Sequence, residues 1–373
     1  MKILSVTTSI PGDDAAWWRM FNIANILRDN GHEVHFIHYC SKPNYDRIID
    51  KGQYPYNTFI LANEWNVFRY HVRVLSQEKY DLVYGNTHTG TFCSLPGKLK
   101  NIPLIFDMHG GLVEEFQLNN SDVRGFYYIF QYIEDVVIDY LDKKCSDRIL
   151  CVSRKMLQYL NEKGIPASRL AYVTNGVDLE YFNAKDEGDN HAFRSRLGLD
   201  DKFIIGYVGG FQKWQGVENF ILAAKSIRDE RAAFLVVGGD REYRDGNVVF
   251  MPSTSREQVK AYYSACDVLT LPRPDHPSTE IAAPTKFAEY TAMGKPILTT
   301  NVGDAAELVK KYGCGMVVND NSPEQLARGF EAYHGFSADK MLEMGRKSRA
   351  LAENEFSWND VYRNLLKVIE SIG

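Results

Sequence analysis

The chain has 373 residues, 45% of them hydrophobic and 24% charged, a balance typical of a globular protein with room for two domains. Its formal net charge of −5 argues against nucleic acid as a partner. The six cysteines form no CxxC pair and no metal-ligand spacing, which predicts buried, reduced thiols and a cytoplasmic location. The N-terminal segment reads as a first strand and not as a signal peptide, and no stretch is apolar for long enough to span a bilayer.

Strand-like and helix-like segments alternate along the first half of the chain. KILSVT at residues 2–7 is an apolar run of the kind buried in parallel sheets. A helix is predicted over 15–30, and EVHFIH at 33–38 is the next strand. Further strands are predicted at 82–84, 104–106, 148–152 and 170–173. This alternation predicts an α/β fold with a doubly wound parallel sheet.

A polar, charge-rich stretch at 183–201 is interpreted as a domain junction, because strand–helix alternation restarts after it. The predicted domains are therefore residues 1–184 and 185–354, and a final helix at 355–373 is expected to cross back to the first domain. Phe356 and Trp358 are its expected anchors. Two successive parallel-sheet domains are expected to face a central cleft, a common place for a ligand. Strands of the second domain are predicted at 203–208, 234–237, 248–250, 268–271, 296–300 and 316–318.

The segment EIAAPTKFAEYTAMGKP at 280–296 is the most informative for chemistry. Pro284 and Thr285 suit the start of a helix, and the free N–H groups of its first turn form an anion site that fits a diphosphate. Lys286 adds a positive charge there. Glu289, one turn further on the same face, is well placed to accept the two hydroxyls of a ribose. The alternative is an exposed Lys286–Glu289 pair worth about 0.2–0.5 kcal/mol.

His109 follows the strand PLIFDM and precedes Gly110 and Gly111. Because the carboxyl ends of parallel strands face the ligand crevice, His109 is a candidate contact to a sugar; the alternative is a histidine that bonds its own loop. The remaining histidines are interpreted as structural, with His88 in GNTHTG held in reserve because it also follows a strand.

Two features of the first half have two interpretations each. Arg19, at the start of the first helix, could bind an acceptor phosphate or could be a surface arginine paired with Asp13 and Asp14. The aromatic run FYYIFQYIEDVVIDY at 126–140 could face a membrane or a lipid acceptor, but it lacks the flanking basic residues of amphipathic membrane helices. It is therefore predicted to be mostly core.

APTKFAEYTAMGKPILTT resembles the donor-nucleotide motif of glycosyltransferase family 4, which has the GT-B fold. Four other segments resemble that family in the same order: PLIFDMHGG, the 152–182 stretch that ends in NGVDLEYF, GYVGGFQKWQGVENFILAA, and EFSWNDVYRNLLKVI. The resemblance covers nearly the whole chain and is weakest at 40–100. It implies two Rossmann-like domains and retaining transfer of a hexosyl group from a nucleotide diphosphate sugar to a glycan, lipid or small-molecule acceptor. It implies no cofactor and leaves open a peripheral contact with the inner face of the membrane.

The resemblance also implies roles for individual residues. Catalytic roles fall to His109, Lys286 and Glu280. Donor-binding roles fall to Gly209, Gly210, Lys213, Arg273, Pro284, Thr285, Lys286, Phe287 and Glu289. Acceptor-side roles fall to Gly12, Arg19, Gly110 and Gly111. No DxD-type aspartate pair follows a strand, so the diphosphate leaving group is expected to be neutralised by the helix start and Lys286 without a metal.

The chain departs from the family pattern at three places. The family often has two glutamates eight residues apart, but here Ile281 lies eight residues before Glu289 and Glu280 lies nine before it. Because Pro284 breaks the helix, Glu280 is expected to reach the sugar from a loop. Gly210 and Gln215 stand where the family usually has phosphate-binding cations, so Lys213 or Arg273 would have to replace one. The third departure is the N-terminal loop, which lacks a Gly-Gly pair.

Three other classes of function compete with glycosyl transfer. An NAD-dependent oxidoreductase predicts GxGxxG after the first strand, but that loop has a single glycine. A sugar-nucleotide epimerase or a phosphorylase of the same fold remains open, since a fold does not determine its chemistry. A non-catalytic carbohydrate-binding protein also remains open, although a phosphate-binding helix start argues against it.

Overall fold

The computed structural model describes residues 1–9, 15–40, 57–61, 67–183 and 187–372. The chain divides into two compact units. The first unit is Met1–Thr174 together with Val361–Gly373, and the second unit is Asn175–Asp360. Each unit is built around one sheet with helices, which is the α/β organisation that the sequence predicts.

The strands of the first unit are β1 (Lys2–Thr7), β2 (Glu33–Cys40), β3 (Asn57–Leu61), β4 (Leu82–Asn86), β5 (Leu104–Met108), β6 (Arg148–Cys151) and β7 (Leu170–Tyr172). Its helices are α1 (Ala15–Asp29), α2 (Val67–Gln77), α3 (Thr87–Ser94), α4 (Leu112–Asn119), α5 (Phe126–Cys145) and α6 (Arg154–Glu162), with 3-10 turns at Leu95–Lys100 and Ala167–Arg169.

The sheet of the first unit has the order β3-β2-β1-β4-β5-β6-β7, and every pair in it is parallel. The central strands are buried on both faces, as their continuous apolar runs predict. Strand order reverses beside β1, since β2 lies on one side of it and β4 on the other. In such sheets the ligand crevice lies at this switch point, outside the carboxyl ends of the strands.

The strands of the second unit are β8 (Phe203–Val208), β9 (Ala232–Gly239), β10 (Tyr243–Asp245), β11 (Val248–Pro252), β12 (Val268–Leu271), β13 (Ile297–Thr300) and β14 (Gly315–Val318). Its helices are α7 (Glu187–Arg196), α8 (Val217–Ser226), α9 (Arg256–Ala265), α10 (Pro277–Ile281), α11 (Thr285–Ala292), α12 (Gly303–Tyr312), α13 (Pro323–His334) and α14 (Ala338–Glu355), with a 3-10 turn at Lys213–Gln215. The last helix, α15 (Trp358–Glu370), spans the division at residue 360.

The sheet of the second unit has the order β10-β11-β9-β8-β12-β13-β14. All its pairs are parallel except the β10–β11 hairpin, which the sequence did not predict. Buried side chains cover both faces of the sheet. Here the strand order reverses between β8 and β12, so their carboxyl ends mark the ligand crevice of this unit.

The boundary between the units lies ten residues earlier than the predicted 184/185 division. The segment after Thr174 packs in the second unit: Val177 N donates to Phe356 O over 2.9 Å, and the fully buried Phe182 belongs to that unit's core. The charge-rich stretch at 183–201 is not the junction, because its residues 187–196 form helix α7 of the second unit.

The expected anchors of the C-terminal helix both lie in the second unit. The Phe356 ring is buried and stacks edge-on against Phe287, with centroids 5.6 Å apart. The Trp358 ring covers Gly176, where an added Cβ would lie 2.3 Å from ring carbons. Only the part of α15 from Val361 onward belongs to the first unit, and its buried side chains are Val361, Leu365, Val368 and Ile369.

The aromatic helix α5 is not core, contrary to the prediction. Eight of its large apolar side chains are 38% to 86% exposed; they are Phe126, Tyr127, Ile129, Phe130, Ile133, Val136, Val137 and Tyr140. The inward face instead carries Asp142, which is fully buried, and Asp139. Composition alone could not separate these cases, because an apolar stripe on a long helix looks the same whether protein or another apolar surface covers it.

Candidate active site

Helix α11 begins in the second unit at the switch point of its sheet. Pro284 is the N-cap, with an extended backbone (φ −64°, ψ 121°), and the helix runs from Thr285 to Ala292. The Tyr290 hydroxyl donates to Val208 O over 3.0 Å and accepts from Val208 N over 3.1 Å. These bonds hold the helix against the carboxyl end of β8, so the free N–H groups of its first turn lie beside the loop that follows β8.

Lys286 is held by two neutral oxygens in this place. Its Nζ donates to the Tyr207 hydroxyl over 3.2 Å and to Gln215 Oε1 over 3.0 Å, and it lies 4.5 Å from the centroid of the Tyr207 ring. The predicted alternative, an exposed Lys286–Glu289 pair, is wrong because the two side chains take different partners.

Burial, together with the nearby Arg273 guanidinium, lowers the pKa of Lys286 to about 7, although Glu289 acts in the opposite direction. Arg273 follows β12 and is itself buried, 7% exposed. Two cations that lie close together away from water repel each other, which raises the free energy of each charged form. A bound anion removes this repulsion and is itself stabilised. The arrangement is therefore suited to a phosphate group.

The loop after β8 comes close to Lys286. Gly209 has φ +151°, and a Cβ there would lie 2.1 Å from Lys286 Nζ, so the close approach requires glycine. Gly210 accepts from the Tyr207 hydroxyl through its carbonyl. Lys213, by contrast, is exposed on the following 3-10 turn. Of the two substitutes expected for the missing family cations, the structure brings Arg273 and not Lys213 to Lys286.

Glu289 lies one turn below Lys286 and is 13% exposed. Its carboxylate accepts from Arg256 Nη1 over 3.2 Å and from the Tyr263 hydroxyl over 2.7 Å. Burial, with the neighbouring Glu289 carboxylate, raises the pKa of Tyr263 well above its usual range, so this phenol stays protonated and remains a donor. Glu289 is thus a fixed, oriented acceptor at the base of the site.

Glu280 does not lie in a loop as expected. It is part of the short helix α10, and its Oε2 accepts from Gly303 N over 2.7 Å at the start of α12. The carboxylate therefore occupies the positive end of α12, where a negative side chain is favoured. Phe287 is also structural in this geometry, since its ring is buried against Phe356.

In the first unit, Arg19 is buried and not at the surface, which corrects the interpretation as a surface arginine. Asp13 and Asp14, its expected partners in that interpretation, lie outside the described residues. Its Nε lies 2.9 Å from Asp107 Oδ2 and its Nη2 lies 2.9 Å from Asp107 Oδ1. The remaining donors reach the backbone carbonyls of Thr174 and Val173, at 2.6 and 2.7 Å. These partners take four of the five N–H groups of the guanidinium, so its main role in this geometry is structural.

His109 is oriented by the same carboxylate. Its Nε2 donates to Asp107 Oδ2 over 3.0 Å, and its side chain is 21% exposed. Burial alone would raise the pKa of Asp107, but Arg19 and His109 outweigh it and hold this pKa below its usual range. A permanent carboxylate therefore fixes which ring nitrogen of His109 carries the inward proton.

Gly110 and Gly111 connect His109 to helix α4, whose N-cap is Gly111. The Gly110 carbonyl accepts from His88 Nε2 over 3.2 Å. Gly12, the other expected acceptor-side glycine, lies outside the described residues. Within the described ranges, no group of three or more His, Cys, Asp or Glu side chains is arranged to hold a metal ion, and no helix combines the length and apolarity needed to cross a membrane.

Sequence reasoning missed several residues that complete these sites. Asp107 had a usable signal, since a carboxylate inside the buried run LIFDM needs a partner. Tyr207, Tyr263 and Arg256 had none, because aromatic residues in strands and helices are ordinarily core and an arginine at a helix start is ordinarily solvated. Only their contacts with Lys286 and Glu289 single them out.

Comparison with known proteins agrees with this arrangement. Residues 202–333 match a family model described as glycosyl transferases group 1, and residues 17–181 match a family model described as glycosyltransferase family 4. Between them the two matches take in most of the chain. The fold and the matches define a glycosyltransferase of the GT-B class, with two Rossmann-like domains. The chain belongs to glycosyltransferase family 4.

Relatives and solved structures extend the match along the whole chain. The chain is 22% identical to an uncharacterized glycosyltransferase of Methanocaldococcus jannaschii, over 99% of this chain and 97% of that protein. It is 28% identical to spore coat protein SA of Bacillus subtilis, over 54% of this chain and 59% of that protein. The fold is similar to Anabaena HepE in complex with UDP, with a TM-score of 0.78, 16% identity and 99% of each chain covered. Sucrose-phosphate synthase of Thermosynechococcus elongatus has the same TM-score at 17% identity, over 100% of this chain and 98% of that one.

The lowered pKa of Lys286 predicts that nucleotide-sugar binding weakens as the pH rises. The ammonium is charged below about pH 7 and loses its charge above it, whereas the two phosphates of UDP-glucose do not titrate in this range. We expect UDP-glucose to bind about tenfold more weakly at pH 8 than at pH 6 by titration calorimetry. Lys286→Met should bind weakly at both values and remove the dependence. Equal affinity of the unmodified protein at both values would contradict a role for the Lys286 charge.

Proposed function

We propose that the protein transfers a hexosyl group, with retention of configuration, from a nucleoside diphosphate sugar to a glycan, lipid-linked or small-molecule acceptor. One observation carries the proposal. Lys286 is partly buried at the start of α11 beside Arg273, and its hydrogen-bond partners among the described residues are two neutral oxygens. An anion at this point would relieve an electrostatic cost already built into the second unit. Stabilisation of a departing diphosphate by fixed positive charge is a large catalytic effect.

The donor is proposed to lie along α11. Its diphosphate would meet the first turn of the helix, Lys286 and Arg273, and its ribose hydroxyls would donate to Glu289. Arg256, which is partly exposed, would give up its place on that carboxylate. Because two protein cations and a helix start supply the positive charge, we propose that transfer needs no tightly held divalent metal. UDP is the first nucleotide to try, since UDP and UDP-glucose are bound in structures of the similar HepE.

The donor assignment predicts a selective loss in a Glu289 variant. Glu289→Ala should weaken UDP binding by about 1.5–3 kcal/mol, since the ribose hydroxyls lose a charged acceptor. The matched control is Glu257→Ala, one residue after Arg256 and exposed. Calorimetry measures both affinities, and transfer assayed with and without EDTA tests the metal requirement. Unchanged UDP affinity in a folded Glu289→Ala protein would refute the ribose contact.

His109 is proposed to contact a hydroxyl of the transferred sugar. Asp107 fixes the ring through Nε2, which leaves Nδ1 and the backbone carbonyl as the groups that can meet a ligand. Such a contact strengthens as the sugar gains positive charge in the transition state.

We expect His109→Ala to lower kcat by about 100-fold, the lower range for a positioned catalytic group. UDP affinity should stay unchanged, because UDP lacks the sugar. His35→Ala, at a partly exposed histidine of β2 in the same unit, is the control. Parallel losses of kcat and UDP affinity would instead identify His109 as a structural support.

The exposed face of α5 is proposed to contact a lipid surface, which would suit a lipid-linked acceptor. Its eight exposed apolar side chains present roughly 800 Å² at the areas usual for such residues. That is more than the largest apolar patch of a typical monomer. Aromatic rings at both ends of the stripe suit the interface between water and acyl chains. Antiparallel pairing of two copies through this face would instead bring Glu134 near the Glu134 of the second copy, and like charges disfavour that.

Vesicle sedimentation tests the lipid contact. Because the stripe itself carries no basic side chain, binding to phosphatidylcholine vesicles should change little between low and high salt. The double variant Phe130→Asp with Ile133→Asp should abolish it, whereas Leu222→Asp, at an exposed leucine of the second unit, should not. Self-association that depends on Phe130, without vesicle binding, would show that a second copy covers this face.

A further inference from the structure

His88 lies at the amino end of α3, behind the glycine loop that carries His109. It is 7% exposed and its ring stacks edge-on against Phe106 of β5, with centroids 4.8 Å apart. Its Nε2 lies 3.2 Å from the Gly110 carbonyl, and its Nδ1 lies 3.3 Å from Asp142 Oδ2 on the inner face of α5. The imidazole therefore bridges a buried carboxylate and the backbone one residue after His109.

This geometry requires one more proton than a neutral histidine and an ionised aspartate would hold. The Gly110 carbonyl can only accept, so His88 Nε2 carries a hydrogen. A neutral ring would then turn the lone pair of Nδ1 toward the Asp142 carboxylate. Asp142 is fully buried, and apart from His88 its oxygens have no hydrogen-bond partner in the described part of the chain. A lone carboxylate in such a place is costly, so a proton lies on Nδ1 or on the carboxyl group.

The surroundings of the pair favour keeping that proton. Burial raises the pKa of Asp142 to about 6, although His88 acts in the opposite direction. Burial also raises the pKa of Asp139, which lies 3.8 Å from His88 Nδ1 and is ion-paired with Lys143. The other titratable groups that interact with the two aspartates include Glu114 of α4, Cys93 of α3, Asp135 of α5 and Tyr159 of α6.

The residue before His88, Thr87, has a strained backbone conformation that orients the His88 side chain. Thr87 has φ +62°, a left-handed conformation that is unfavourable for a β-branched residue. The turn is held by the Thr91 hydroxyl, whose one hydrogen lies between Thr87 O at 2.7 Å and Gly85 O at 3.1 Å. A Cβ at Gly85 would lie 2.5 Å from Thr91 Cα. Such over-determined strain is typical of functional positions.

We propose that His88 is a positioning residue for the His109 loop, and that the proton it shares with Asp142 holds it against the Gly110 carbonyl. The proposal rests on the proposed role of His109 in transfer. As the pH rises and Asp142 becomes an unprotonated carboxylate, this carboxylate and the Nδ1 lone pair repel each other. The ring then releases the loop and turnover falls.

Four variants of the full chain test the proposal by kcat–pH profiles and by hydrogen exchange of the amides at 109–112. His88→Leu should speed loop exchange and lower kcat about tenfold with unchanged UDP affinity, and His88→Gln, whose amide can donate to Gly110 O, should restore most of both. Asp142→Asn can donate to a neutral imidazole without the extra proton, so its kcat should no longer fall on the alkaline side. Asp139→Asn, one turn earlier, should keep that alkaline fall.

The readouts separate this proposal from the one on which it rests. Loop exchange and pH profiles identical in wild type and His88→Leu would overturn the positioning role, whatever the effect on kcat. Faster loop exchange in His88→Leu with full activity would support the contact with the loop and would instead contradict the role of His109. An alkaline fall that persists in Asp142→Asn would overturn the shared proton.

Discussion

The pairing of buried charge is the constraint on which both candidate sites depend. In the first unit, Asp107 is inside the sheet and would be costly without a partner, and Arg19 supplies two hydrogen bonds from α1. The same guanidinium also donates to the backbone carbonyls of Val173 and Thr174, which follow β7. The Arg19 side chain therefore links helix α1, near the start of the first unit, to residues 173 and 174 near the end of its long segment. Tyr84 and His109 also donate to Asp107 Oδ2, and this carboxylate orients the His109 ring.

In the second unit the key cation is not paired with a carboxylate. Lys286 and Arg273 are close enough for each to raise the cost of the other's charge, and the oxygens that hold Lys286 are neutral. An ion pair such as Arg19–Asp107 stabilises the fold and has little affinity left for a ligand. A lysine held by neutral oxygens beside a second cation lowers stability, and a bound anion restores that stability. This contrast distinguishes the structural arginine from the lysine that is proposed to bind phosphate, although both looked like phosphate ligands in the sequence.

Local patterns predicted most of the fold, and the failures have physical causes. The strands and helices around the sites follow from apolar runs and from proline and glycine stops, and α11 begins at Thr285 as expected. The partners of Arg19, Glu280 and Glu289 could not be predicted, since each is supplied by a different element. The prediction that the apolar face of α5 is core was wrong because periodicity identifies an apolar face without identifying what covers it. The predicted position of the domain junction was wrong because a charged helix resembles a linker in composition.

Gln215 shows why a departure from a family pattern needs the geometry before it can be interpreted. In the sequence it reads as a lost phosphate-binding cation. In the structure its amide oxygen accepts from Lys286 Nζ over 3.0 Å, a distance at which two ammonium groups would repel strongly in a buried place. The neutral amide therefore keeps Lys286 extended along the loop after β8, and Arg273 supplies the second positive charge from β12. Arg273 thus replaces one of the two cations that the loop after β8 lacks, and a comparison of aligned positions in that loop alone cannot detect this replacement.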